Sequence, residues 1–261
     1  MNRLTKLFET KNSGLLSIFF TAGYPTLEST VEIIESLEKG GVDMVEIGIP
    51  FSDPMADGPV IQESSSAALK NGITLNKIMA QVKEARSKVH DMPFILMGYL
   101  NPVMKYGVEK FFRDAHEAGV DAVIIPDLPF DDYLADFKSL SAEYDLPVIM
   151  LITPETSEKR IHLIDDHCDG FIYMVSSAST TGAKDKYTDS QLEYFRRING
   201  MNLKHKRLIG FGISNPLTFN QACENSAGAI IGSHFIKCLD VNNGDAGKAV
   251  ETLLKSIGKT H

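Results

Sequence analysis

The 261-residue chain has no tryptophan and only three cysteines, Cys168, Cys223 and Cys238. These lie far apart with no CxxC pair, which excludes a disulfide framework and a zinc ribbon and points to a reducing compartment. Positive charge is also scarce: 26 Lys and Arg against 34 Asp and Glu leave a net charge of −8. Without a long basic run, nucleic acid is not the expected partner. No apolar run approaches the ~18–20 residues that span a bilayer, so no membrane partner is expected. The opening MNRLTKLFETK lacks the apolar stretch of a signal peptide, and its Leu4, Leu7 and Phe8 suggest a short amphipathic helix instead. A soluble, cytoplasmic protein is the expectation. P-loop, HExxH and GxSxG motifs are missing as well.

What the chain does have is alternation. Short, nearly all-apolar runs recur at 16–22, 44–49, 94–99, 122–126, 148–152, 171–175, 208–211 and 229–231. Such runs suit parallel strands buried on both faces. Between them the apolar residues take helical spacing, as with Leu27, Val31, Ile34 and Leu37, or Ile78, Met79, Val82 and Ala85 after the N-cap residue Thr74. Eight βα units in about 250 residues predict a single-domain (β/α)8 TIM barrel over 1–261, with an extra N-terminal helix. A doubly wound open sheet is the alternative. It would show fewer strands and, for a dinucleotide, a GxGxxG turn after the first strand, where this chain reads Thr21-Ala22-Gly23-Tyr24-Pro25. The widest gap follows the second strand and holds an elongated loop at 50–59 and a helical stretch at 60–69. Barrel enzymes keep their chemistry in such βα loops.

That loop belongs to the stretch on which the chemistry turns, EIGIPFSDPMADGP at 46–59. Glu46 is flanked by Met44, Val45, Ile47 and Ile49, and a carboxylate among buried apolar residues is costly unless paired, hydrogen-bonded or protonated. Near the end of the second strand its side chain can point into the barrel mouth. The competing reading is a structural acid paired with an arginine or lysine. Asp57 follows in a loop stiffened by Pro54 and Pro59; its plainer reading is Asp-Gly turn chemistry, which is kept for Asp53. Two carboxylates in different surroundings can serve as an acid and a base with separated pKa values.

Glycines end the last two strands, Gly210 and Gly212 in IGFGIS and Gly232 before Ser233 in IIGSHF. Bare backbone and a helix N-terminus offer N–H groups to an anion, and barrels often bind phosphate there. No lysine fork is evident, so backbone and hydroxyl would hold the anion. After the sixth strand, SSASTTGAK (176–184) reads either as a plain surface loop or as a lid, with Gly182 a further donor. Phe19, Met97, Tyr99, Tyr173 and Phe211 fall where an aromatic-lined mouth would be. The strand cores carry no lysine for a Schiff base and no histidine for a metal, and the sixth has no glutamate.

The stretch EIGIPFSDPMADGP closely resembles the signature of the tryptophan synthase alpha chain family. The resemblance runs along the whole chain, through FFTAGYP, NPVMKYG, IPDLP, GFGIS and IIGS in the family's order. It implies retro-aldol cleavage of indole-3-glycerol phosphate to indole and glyceraldehyde 3-phosphate. By motif, Glu46 resembles the acid/base at indole C3 and the glycerol hydroxyl, and Asp57 the carboxylate at the indole N–H. Gly182, Gly212, Gly232 and Ser233 match the phosphate contacts. Phe19, Tyr173 and Phe211 match the indole pocket, and Thr181 the lid threonine. SSASTTGAK departs from the family's valine- and glycine-containing form. The resemblance further implies no cofactor in this chain and a beta-chain partner carrying pyridoxal phosphate in an alpha2-beta2 heterotetramer. A free-standing lyase and a non-catalytic activating subunit remain as alternatives.

Overall fold

In the computed structural model, which describes residues 2–176 and 186–259, eight parallel strands close into a barrel in sequence order. They are β1 Leu15–Thr21, β2 Met44–Gly48, β3 Phe94–Met97, β4 Ala122–Ile124, β5 Val148–Ile152, β6 Phe171–Val175, β7 Lys206–Gly210 and β8 Gly228–Ile231. Each matches an apolar run of the sequence, with one extension. β7 starts two residues early, at Lys206 and Arg207. Lys206 sits at the strand's lower end, where its Nζ donates to Asn12 Oδ1 at 2.9 Å, so it brings no amine to the mouth.

The helices are α1 Arg3–Thr10, α2 Ser29–Lys39, α3 Pro59–Lys70, α4 Leu75–Arg86, α5 Leu100–Tyr106, α6 Val108–Ala118, α7 Phe130–Asp132, α8 Lys138–Glu143, α9 Glu158–His167, α10 Asp189–Asn199, α11 Pro216–Asn225, α12 Ser233–Val241 and α13 Ala246–Ser256. α7 and α8 flank a wider π turn at Tyr133–Phe137. Starts follow local chemistry: the side chains of Thr74, Ser157 and Asp245 accept from the N–H three residues on. Among the described residues no helix is long and apolar enough to cross a membrane.

Strand register stacks the barrel interior in layers drawn from alternate strands. Ser17, Ile95, Ile149 and Leu208 form one. Glu46, Ile124, Tyr173 and Ile230 lie above it, and Phe19, Met97, Leu151 and Gly210 above those. Below, α1 plugs the barrel with Leu4, Leu7 and Phe8, the Phe8 ring 5.9 Å from that of Phe171. Arg3 and Arg86 anchor this end on the buried Asp121 at 3.0 and 2.8 Å. The outer core lies between strands and helices. The C-terminal mouth is thus left for chemistry.

Candidate active site

A cleft occupies the mouth. One side is aromatic and apolar: Phe19, Met97, Tyr173, Phe211 and Ile230. The other is made by Gly212, Gly232, Ser233, His234 and Lys237, and Asp57 joins the wall from the loop before α3. Phe19, Asp57, Tyr173, Phe211, Gly212, Gly232 and Ser233, expected from the sequence, therefore meet in one place. Thr181 and Gly182 lie outside the described residues, as does all of the expected lid at 176–184 except Ser176.

Glycine makes room for both rings of the floor. A Cβ on Gly48 would lie 2.5 Å from Phe19 Cζ, and one on Gly210 would lie 2.3 Å from Tyr173 Oη. Phe19 can therefore lean across β2 and Tyr173 across β7. Phe211 completes the aromatic wall, its ring centroid 6.3 Å from that of Tyr173 at 65°. It stands in the left-handed region, φ 71°, which costs a non-glycine residue about 1–2 kcal/mol. Its carbonyl is held by Ser176 Oγ at 2.9 Å and Tyr187 Oη at 3.3 Å. Ser176 is in turn fixed by Gln191 Nε2, which donates to its carbonyl at 2.8 Å.

Opposite, Gly232 caps α12 without a side-chain bond. The N–H groups of Phe235 and Ile236 turn back to its carbonyl at 2.8 and 3.2 Å. Those of Ser233 and His234 precede the first intrahelical bonds, at the positive end of the dipole. No lysine fork is evident from the sequence, yet Lys237 stands one turn into α12 on the same side as Ser233 and lines the cleft. Helical spacing of four from Ser233 was the available signal. His234 also lines it, its Nε2 2.7 Å from Ser256 Oγ, and burial together with Lys237 lowers its pKa.

Asp57 accepts from Tyr99 Oη at 3.0 Å, and Tyr99 Oη accepts in turn from the Ala56 N–H at 3.0 Å. Gln62 Nε2 donates to the Asp57 carbonyl at 2.8 Å. Burial raises the Asp57 pKa, and the Tyr99 bond opposes that rise. Tyr99 thus serves Asp57 rather than the ligand wall. Asp53 is exposed and accepts from Ser52, as a loop-structuring acid should.

Glu46 differs from the sequence expectation in position. It faces the barrel interior but not the cleft wall, and it is fully buried. Ser17 Oγ, one layer down, donates to its Oε1 at 2.8 Å, and Oε2 has no partner among the described residues. The hydroxyl lies below the carboxylate, on the side away from the mouth. The alternative of a paired structural acid also fails. Asp121 has two arginines and the Phe94 N–H, and Asp165 has the N–H groups of Lys204 and His205 and the His205 ring. Among the described residues Glu46 has one hydroxyl. Burial pushes its pKa up to about 8, with the Ser17 bond opposing, so it holds its proton at neutral pH.

The family model for the tryptophan synthase alpha chain matches residues 5–261. The chain belongs to the tryptophan synthase alpha chain family. A tryptophan synthase alpha chain of Parabacteroides distasonis is 56% identical over 257 residues, 98% of this chain and 99% of that one. One of Christiangramia forsetii is 52% identical over 242 residues, 93% and 94% of the two chains. Among solved structures, the tryptophan synthase alpha chain of Legionella pneumophila superposes with a TM-score of 0.88 at 33% identity, over 98% of this chain and 96% of that one. A tryptophan synthase complex from Pyrococcus furiosus gives 0.85 at 31% identity, over 94% and 98%. Membership makes the chain a carbon–carbon lyase of the alpha reaction, cleavage of indole-3-glycerol phosphate, in tryptophan biosynthesis.

Proposed function

We propose that Glu46 and Asp57 carry out this cleavage, with indole against Phe19, Tyr173 and Phe211 and the phosphate at Gly212, Gly232 and Ser233. The observation that carries the reading is a single cleft with an aromatic side, a helix-N-terminal side and a hydrogen-bonded carboxylate on its wall, over a buried acid that keeps its proton. Thr181 and Gly182 are assigned to the same ligand on the family motif alone.

The chemistry needs no metal or Schiff base. Glu46 gives its proton to indole C3, while the Asp57 carboxylate holds the indole N–H and balances the positive charge of the indolenine. The Glu46 carboxylate then takes the proton of the glycerol hydroxyl next to C3. The C–C bond breaks, its electron pair returns to the ring, and indole and glyceraldehyde 3-phosphate result with Glu46 protonated again. To touch substrate, the Glu46 carboxyl must rotate upward from the position it holds here.

A partner follows from the product. Indole is small and apolar, and a beta chain that joins it to serine with pyridoxal phosphate would use it directly. We infer an alpha2-beta2 assembly in the cytoplasm, docked at the barrel mouth. Met55 in the 50–59 loop and Met104 on α5 are exposed there, at 86% and 57%, whereas Val103 beside Met104 is in the core.

The test is release of indole from indole-3-glycerol phosphate by the isolated chain, read by fluorescence, since the chain has no tryptophan of its own. Cleavage that Gly232→Asp weakens through KM is the expected result. No cleavage alone or with a beta chain would leave only an activating subunit, and full cleavage that a beta chain neither binds nor alters would leave a free-standing lyase.

A further inference from the structure

We propose that Ser17 is a positioning residue, a latch that holds the Glu46 carboxyl withdrawn from the cleft until ligand or partner draws it up. This rests on the reading of Glu46 as the acid. Ser17 and Glu46 are both fully buried, and their 2.8 Å bond joins two layers of the barrel interior. Ser17 pairs with Met44 and Phe19 pairs with Glu46. The hydroxyl therefore sits toward the closed end of the barrel, and the cleft lies on the other side of the Glu46 layer.

Four observations agree. The carboxyl adds nothing to the cleft wall, although Tyr173 and Ile230 of its own layer do. Among the described residues Ser17 is its one hydrogen-bond partner, and Oε2 has none. The other residues of the Ser17 layer, Ile95, Ile149 and Leu208, offer no polar atom. Phe19 and Met97 of the layer above, and Tyr173 of its own layer, make no hydrogen bond to Glu46. Among the described residues Ser17 is thus the one hydrogen-bonding group that favours the withdrawn position, and a ligand can shift such an equilibrium only by its own preference for the raised form.

In the Ser17→Ala variant the withdrawn carboxyl loses its partner and the raised position gains in population. One net hydrogen bond corresponds to about a fivefold shift. Indole release by the chain alone should therefore rise about fivefold in kcat, with KM within twofold. A hydroxyl with only a packing role would give an unchanged or lower kcat. Ser17→Cys keeps the volume and substitutes a weak donor, so a smaller rise in the same direction is expected, and it serves where Ser17→Ala folds poorly. In parallel, the infrared C=O stretch of the neutral Glu46 acid, assigned by its loss in Glu46→Gln, should move to higher frequency in both variants. A kcat that is unchanged or lower in folded Ser17→Ala and Ser17→Cys overturns the latch. If instead Glu46→Gln keeps near-normal turnover, the reading of Glu46 fails, and the two failures are told apart.

Discussion

Glu46 is asked to be neutral near pH 7 and basic a moment later, and its surroundings supply the first half. A pKa of about 8 means that the folded protein keeps a proton which the unfolded chain loses above about 4.5. The stability associated with that proton is fully present below the unfolded pKa and is lost as pH rises through about 8. Glu46→Gln, which cannot ionise, should unfold like the parent at pH 5 and be more stable by a few kcal/mol at pH 8–9; denaturant melts at the two pH values measure this. Equal pH dependence in both proteins would remove the buried-acid account. Turnover should move the opposite way. Glu46→Gln and Asp57→Asn should each lose about 10²–10⁴ in kcat with KM little changed, and the parent's rate should fall as Glu46 ionises above pH 8. Retained turnover in either variant would take that residue out of the mechanism.

At the scale of elements, the cleft exists because β2 and β7 carry glycine where a side chain would fill it. Gly210→Ala brings a methyl within 2.3 Å of Tyr173 Oη, and the ring must move into the space meant for indole. We expect KM for indole-3-glycerol phosphate to rise tenfold or more, on the order of the cost of overpacking a filled site, while affinity for inorganic phosphate stays the same. Loss of both affinities would mean that the whole mouth had shifted. The turn after β7 works similarly. Ser176→Ala removes the 2.9 Å bond that pins the left-handed Phe211, so the aromatic wall should loosen and KM should rise again, whereas Ser176→Thr keeps the bond.

For the whole molecule, the closed barrel puts α1 and the Asp121 ion pairs at one end and every described candidate site residue at or just below the other. A partner that takes up indole has to cover the open end. Glutamate in place of Met55 and of Met104 should weaken association with a beta chain at least tenfold and leave the isolated chain's activity within twofold. Sedimentation during a titration reads the first and indole release the second. If the charged variant assembles as tightly as the parent, docking lies elsewhere on the barrel.

Much of this is legible in one dimension because parallel strands buried on both faces read as apolar runs, and helices between them read as stripes. β1 to β8 all stand within two residues of such runs. Asp57 could be picked out because a constrained acidic loop after a strand is a local pattern, and Gly232 and Ser233 because a glycine before a helix is another. Glu46 was legible as an acid in an apolar run, but not the direction it faces. That depends on Ser17, twenty-nine positions away, which nothing local connects to it. Ser176 under Phe211, Tyr99 on Asp57 and Lys237 beside Ser233 are also products of register, turn and helix phase. The amino-acid order determined which layers the chain would build, since burial follows composition along each segment. Which hydroxyl meets which carboxylate was decided only when eight strands closed with one shear, because closure sets the height of every inward side chain against its neighbours.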